Sequence, residues 1–197
     1  MTGSPAALVE GCVAAQAALL AAIADLTDDV ARGPSRLPGW SVGHVLTHLA
    51  RNADSVVWRL EGAALGEVRD QYPGGLERRA GDIDAGAGRP AAELVTDVRL
   101  SADAVERVMT DLPPAAWDAP SRTSKGVVED SRAAVLSRWR EVVVHHGDIG
   151  LGPVPFPPAL VDVWLPQELP RLAERSDPAE LLAWVIGRGG PPVLTPW

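Results

Sequence analysis

Apolar residues recur at helical spacing from the start of the chain. Leu8, Val13, Ala17, Leu20, Ile23 and Leu26 predict a first helix over about residues 4 to 30, opened by Ser4-Pro5. The stretch ARGPSRLPGW breaks it. Ser41 is then placed to cap a second helix reaching about Leu65, with Val42, Val45, Leu46, Leu49, Val56 and Val57 as its apolar positions. A Gly/Pro turn region, GEVRDQYPGGLER, leads into a third, short helix around Leu76 to Ala85. Leu94, Val98, Ala102, Val105, Val108 and Met109 describe a fourth, amphipathic helix from about Ala91 to Leu112. The segment PPAAWDAPSRTSKG reads as a loop, and a fifth helix runs from about Glu129 to Asp148, ended by Gly147 or Gly150. No strand-period run is evident before residue 150.

Beyond GLGPVPFPP the composition shifts. Helical pieces are expected over about Ala159 to Arg175, perturbed by Pro166 and Pro170, and over Pro178 to Gly187, with a short strand at Val193-Leu194 in the tail. The expected architecture is a mainly α bundle over residues 1–152 and a small α(+β) extension over residues 153–197.

With 197 residues, 46% of them hydrophobic, the chain is long enough for a substantial core. A formal net charge of −8 and the absence of a Lys/Arg-rich run argue against nucleic acid or an anionic membrane as partner and leave small molecules as the expected ligands. The single cysteine, Cys12, excludes an internal disulfide framework and multi-cysteine metal motifs, so any metal must be held by His and carboxylates. Its apolar setting suggests a buried small side chain. The N-terminal run has no basic region before it and is interrupted by Glu10, Gln16 and Asp25, which fits neither a signal peptide nor a membrane span and gives the expectation of a cytoplasmic protein.

The candidate chemistry lies in two segments. In WREVVVHHGDIGLG, Glu141, His145 and Asp148 fall within about 60° of one another on a helix, with Arg138 beside them, whereas His146 points away. In SVGHVLTHLARN, His44 and His48 are four apart and Asn52 continues their stripe. A Glu and a His at this spacing can share one divalent ion, and bundles complete such sites from a facing helix. Taken alone, a Glu/His pair near a helix C-terminus is more often a surface pair with the histidine favoured by the macrodipole, and a His/His pair at this spacing is more often a solvated face or a core histidine satisfied by backbone. All four histidines of the chain nevertheless lie in these two segments. Neither is the zinc-protease signature, because HVLTH carries Val and Leu where the general base would stand. Open metal positions without an adjacent base favour binding and activating a ligand atom such as a thiolate. Arg188, in LLAWVIGRGG, is either a helix-terminal cation or a clamp for a carboxylate, and Arg78-Arg79 and Arg138-Arg140 permit the same role with less force.

LPGWSVGHVLTHLARNADS, RWREVVVHHGDIGLG and LLAWVIGRGG resemble, in this order and spacing, the mycothiol-dependent maleylpyruvate isomerase family of the DinB-like metalloenzyme superfamily. The resemblance implies a DinB-like four-helix bundle holding a divalent metal, usually zinc, through His48, Glu141 and His145, with Asp148 and Arg188 in catalytic positions and His44 in support. It also implies mycothiol as the thiol cosubstrate. The metal-activated thiolate would add to the cis double bond of maleylpyruvate and leave after rotation, giving fumarylpyruvate, or would be transferred to another electrophile. A monomer or homodimer is expected. The rival readings are a metal-dependent hydrolase and a non-catalytic protein that sequesters a small molecule.

Overall fold

The computed structural model describes residues 3–152 and 156–195. The described residues fall into two compact units, one of residues 3–152 and the other of residues 156–195. The larger contains α1 (Pro5–Ala22), α2 (Asp28–Arg32), α3 (Val42–Leu65), α4 (Gly75–Ala87), α5 (Ala91–Asp111), a 3-10 turn (Pro114–Asp118), β1 (Pro120–Arg122), β2 (Val128–Asp130) and α6 (Ser131–Asp148). Helices α1, α3, α5 and α6 form the bundle, with α3 packed on α5 and α6, and α1 on α6 and α5, while α4 lies against α3. The core between them is apolar: Leu8, Leu19, Leu46, Leu49, Leu94, Val105 and Trp139 are all buried, each large aliphatic side chain contributing about 2 kcal/mol by leaving water. Helix α1 is long and apolar enough by length and composition to cross a membrane, but here Leu8, Cys12 and Leu19 are buried inside the bundle.

Local chemistry sets the helix limits. Ser41 Oγ accepts from the His44 backbone N–H at 3.3 Å while the Ser41 N–H donates to His44 Nδ1 at 3.2 Å, a reciprocal cap that fixes the start of α3. Asp130 opens α6 by accepting from the Ala133 N–H at 2.8 Å. Pro90 gives α5 no cap of its own, and Asp28 supplies one from outside, accepting from the Ala91 N–H at 2.7 Å. Gly43 allows the close approach of α4 to α3, since a Cβ there would lie 2.1 Å from the Ala87 carbonyl oxygen.

Three expectations need correction. The first helix does not reach Val30: it ends at Ala22, and Asp28–Arg32 is a separate turn whose cap, Thr27, accepts from the Val30 N–H at 3.4 Å. Apolar spacing continues through Ile23 and Leu26, so periodicity alone conceals the break, which Thr27 and the acidic pair after it specify. The loop after α5 contains an antiparallel hairpin pairing Ser121 with Glu129. Three-residue strands are too short to show a period, and Arg59 of α3 anchors this pair by donating to Ser121 Oγ at 2.8 Å and Glu129 Oε1 at 2.6 Å. Finally, Val193-Leu194 is not a strand. Pro191 and Pro192 beside it lack donors, and Thr195 instead exchanges hydrogen bonds with Arg175.

The smaller unit holds α7 (Pro158–Glu168), a 3-10 turn (Leu169–Arg171), α8 (Leu172–Arg175) and α9 (Pro178–Val185). Pro166 is accommodated inside α7, and the helical run expected to Arg175 is interrupted at the 3-10 turn around Pro170, whose nitrogen cannot donate an α-helical hydrogen bond.

Candidate metal centre

His48 lies two turns into α3, and Glu141 and His145 lie one turn apart near the end of α6, so the packing of α3 on α6 brings three polar groups together at the bundle core. His48 Nε2 lies 2.9 Å from Glu141 Oε2 and 3.0 Å from His145 Nε2, and His145 Nε2 lies 3.2 Å from the same carboxylate oxygen. One ligand atom from each residue falls within a 4.8 Å cluster. Two imidazole nitrogens and one carboxylate oxygen converging in this way form a donor set suited to a divalent ion with open coordination positions.

The surroundings hold these groups in place. His145 Nδ1–H donates to Asp148 Oδ2 at 2.8 Å, which turns Nε2 toward His48 and Glu141. Trp40 presents itself edge-on to the His48 ring at 5.7 Å and stacks on His44 at 6.1 Å. Burial alone would raise the Glu141 carboxyl, but hydrogen bonds from His145 and His48 outweigh it and hold the group well below the usual carboxylate range. Burial likewise opposes charge on His145, yet Asp148 and Glu141 push it up to about 9. For His48 burial prevails and lowers the imidazole, favouring the neutral ring that a metal ligand must be.

Beneath the cluster, Arg138 is fully buried one turn before Glu141. It donates from Nη1 to the Leu49 carbonyl at 2.7 Å and to Asn52 Oδ1 at 3.0 Å, and from Nε to Gln16 Oε1 at 3.2 Å, linking α1, α3 and α6. Among the described residues its Nη2 has no hydrogen-bond partner.

His48, Glu141, His145 and Asp148 are thus brought together, as the helical spacing predicts. His44 instead serves as the α3 cap, 3.9 Å from Asp84. His146 points elsewhere, half-buried, with burial lowering its imidazole. Arg188 belongs to the smaller unit, past the end of α9, where its exposed side chain donates to the Gly187 carbonyl at 3.2 Å. The sequence reading underrated Arg79, which donates to His48 Nδ1 at 2.8 Å; no local spacing links α4 to α3 in a way that could single it out from Arg78.

Removing the Asp148 carboxylate leaves His145 free to turn and to change tautomer. Asp148→Ala is expected to weaken metal binding about 10- to 100-fold, read by competition with a chromophoric chelator. An unchanged affinity would mean that the Asp148 contact does not orient the ring.

Comparisons with known proteins bear on the family and the fold. The family model described as the mycothiol maleylpyruvate isomerase N-terminal domain matches residues 12–150. Among solved structures, a mycothiol-dependent maleylpyruvate isomerase is similar with a TM-score of 0.73 at 19% identity. A mutant of such an isomerase, with one histidine replaced by alanine, reaches 0.76 at 18%. Each likeness covers 82% of this chain and 68% of the solved one. A search of curated proteins finds no match. The mainly α, DinB-like fold expected from the sequence is the fold observed. With its family model spanning most of the bundle, the chain belongs to the mycothiol maleylpyruvate isomerase N-terminal domain family.

Proposed function

We infer that the chain is a metal-dependent, mycothiol-using enzyme that adds a thiolate to a small electrophile, as a maleylpyruvate cis-trans isomerase or a mycothiol S-transferase. The observation that carries this reading is the convergence of His48, Glu141 and His145 in a chain of this family. What a divalent ion supplies when held by these atoms, zinc being the one expected, is a lowered thiol pKa that makes thiolate available at neutral pH.

The side chains have separable tasks. Glu141 would contribute the negative charge, and His48 and His145 nitrogen donors, His145 releasing its ring proton as the ion binds. Asp148 fixes the His145 ring, and Trp40 shields one edge of His48 from water. In the isomerase reaction the thiolate sulfur bonds to one carbon of the cis double bond, and the electron pair moves into the conjugated carbonyl as an enolate. Rotation about the new single bond and expulsion of the thiolate restore the double bond in trans geometry, with no net use of protons or electrons. In a transferase the sulfur–carbon bond is kept. Arg188, a guanidinium with donors suited to a carboxylate or enolate oxygen, is proposed as the substrate-holding group. Small-molecule partners without nucleic acid or membrane accord with the net charge of −8, and a cytoplasmic monomer or homodimer is proposed with them.

An assay with maleylpyruvate, with and without mycothiol, tests the proposal. Conversion to fumarylpyruvate is expected only when metal and thiol are both present. Turnover of a hydrolysable substrate without thiol would replace the reading with metal-dependent hydrolysis, and stoichiometric binding without turnover would make the chain a sequestering protein.

A further inference from the structure

His48 is met from outside the triad by an arginine. Arg79 of α4 donates from Nη2 to His48 Nδ1 at 2.8 Å, and its guanidinium carbon lies 5.3 Å from the Tyr72 ring centroid. Its Nε is buried without a hydrogen-bond partner among the described residues. A guanidinium has donors only, so Nδ1 must accept, and a neutral His48 then carries its proton on Nε2, facing Glu141 and His145.

Coordination through Nε2 requires the other tautomer. The Nε2 lone pair must be free, the ring proton sits on Nδ1, and that N–H would face an Arg79 N–H across the same short distance. Two donors so placed repel, and the guanidinium charge also opposes a cation at Nε2. The ring neither gains nor loses a proton overall. Arg79 and a bound cation therefore select opposite tautomers of one imidazole. His145 has the arrangement a ligating histidine needs, an acceptor on its second nitrogen, whereas His48 has a donor there.

Space for a displaced Arg79 lies next to it. A cavity of about 210 Å³ is lined by Arg51, Asp54, Tyr72, Arg78, Arg79 and Asp82, among others. Arg51 is already paired with Asp54 and Asp97, each at 2.8 Å, and Arg78 lies 3.7 Å from Asp82. Among the described residues Arg79 has no carboxylate partner, so it is the guanidinium in this cavity whose charge is left for an incoming anion.

Resting on the metal-centre reading above, we propose that Arg79 is a metal-released anion-binding residue. It is held on His48 Nδ1 in the metal-free protein and, once the triad is loaded, turns into the cavity to hold a carboxylate of the electrophile. The proposal gives the bundle its own determinant for carboxylate-bearing substrates and couples that determinant to metal occupancy.

The test uses the full chain, wild type and Arg79→Met, with two readouts. Zinc affinity is measured by chelator competition, and maleate binding by calorimetry on the zinc-loaded and metal-free proteins. Loss of the competing hydrogen bond should make Arg79→Met bind zinc about tenfold more tightly, a direction that simple damage to the fold would not produce. The zinc-loaded variant should bind maleate at least about tenfold more weakly than zinc-loaded wild type. Arg79→Gln, whose amide oxygen can accept from Nδ1–H, provides a second variant and should also gain zinc affinity. Unchanged or weaker zinc binding in both variants, or unchanged maleate binding, overturns the assignment. If the wild-type chain takes up no zinc, the metal-centre reading fails and Arg79 with it; if wild type takes up zinc and both variants behave identically to it, the Arg79 assignment alone fails.

Discussion

Wild-type protein supplied with zinc should hold about one ion per chain, and the His48→Ala/Glu141→Ala double variant none. The two substitutions remove two of the three converging donors, one from each of the helices that form the cluster. A single remaining imidazole, His145, cannot retain the ion against a chelator. Thiol-dependent turnover should fall by at least about a thousandfold, because a metal's contribution to charge stabilisation is several kcal/mol. The fold should survive, since Glu141 is only partly buried and the apolar residues of α3 and α6 remain in place. Metal analysis beside circular dichroism separates the two effects, and full occupancy in a folded double variant would dismiss the assignment.

Arg138→Ala should have the largest effect on stability. The guanidinium is fully buried and joins three bundle helices through Gln16, the Leu49 carbonyl and Asn52. Truncation leaves a cavity and strands acceptors that had a charged donor, at a cost of about 3–5 kcal/mol. In a chain of this length that corresponds to a fall in melting temperature of roughly 10 °C, measurable by thermal unfolding. A loss below about 1 kcal/mol would mean that the network does not brace the bundle. Because Arg138 lies one turn before Glu141, this variant should also bind metal less tightly, but far less severely affected than the double variant.

Much of this was legible in the sequence wherever a long period or a helical offset carried the signal. Helices α3 and α5 each expose an apolar stripe long enough to define them, and the offsets of four and three residues put Glu141, His145 and Asp148 on one face while excluding His146. His48 is buried on the face that also carries Val45 and Leu49, where an imidazole needs a polar partner. What escaped was set by tertiary contact or by very short elements. The hairpin at residues 120–130 has three-residue strands and depends on Arg59 from a distant part of the chain. His44 sits at ligand spacing from His48, yet its ring is engaged by Ser41 at the first turn of α3, where local capping competes with any role deeper in the bundle. Arg79 reaches His48 only because α4 lies close on α3, which the glycine at position 43 permits.

The central claim is that His48, Glu141 and His145 hold a metal that presents a thiolate. Cobalt-substituted protein tests it most directly, because a sulfur ligand gives cobalt a charge-transfer absorption in the near ultraviolet that nitrogen and oxygen ligands do not. Titration with mycothiol should bring up this band to saturation in wild type and leave the Glu141→Ala variant unchanged. Full thiol-dependent turnover by the cobalt protein with no such band at saturating mycothiol would contradict the account.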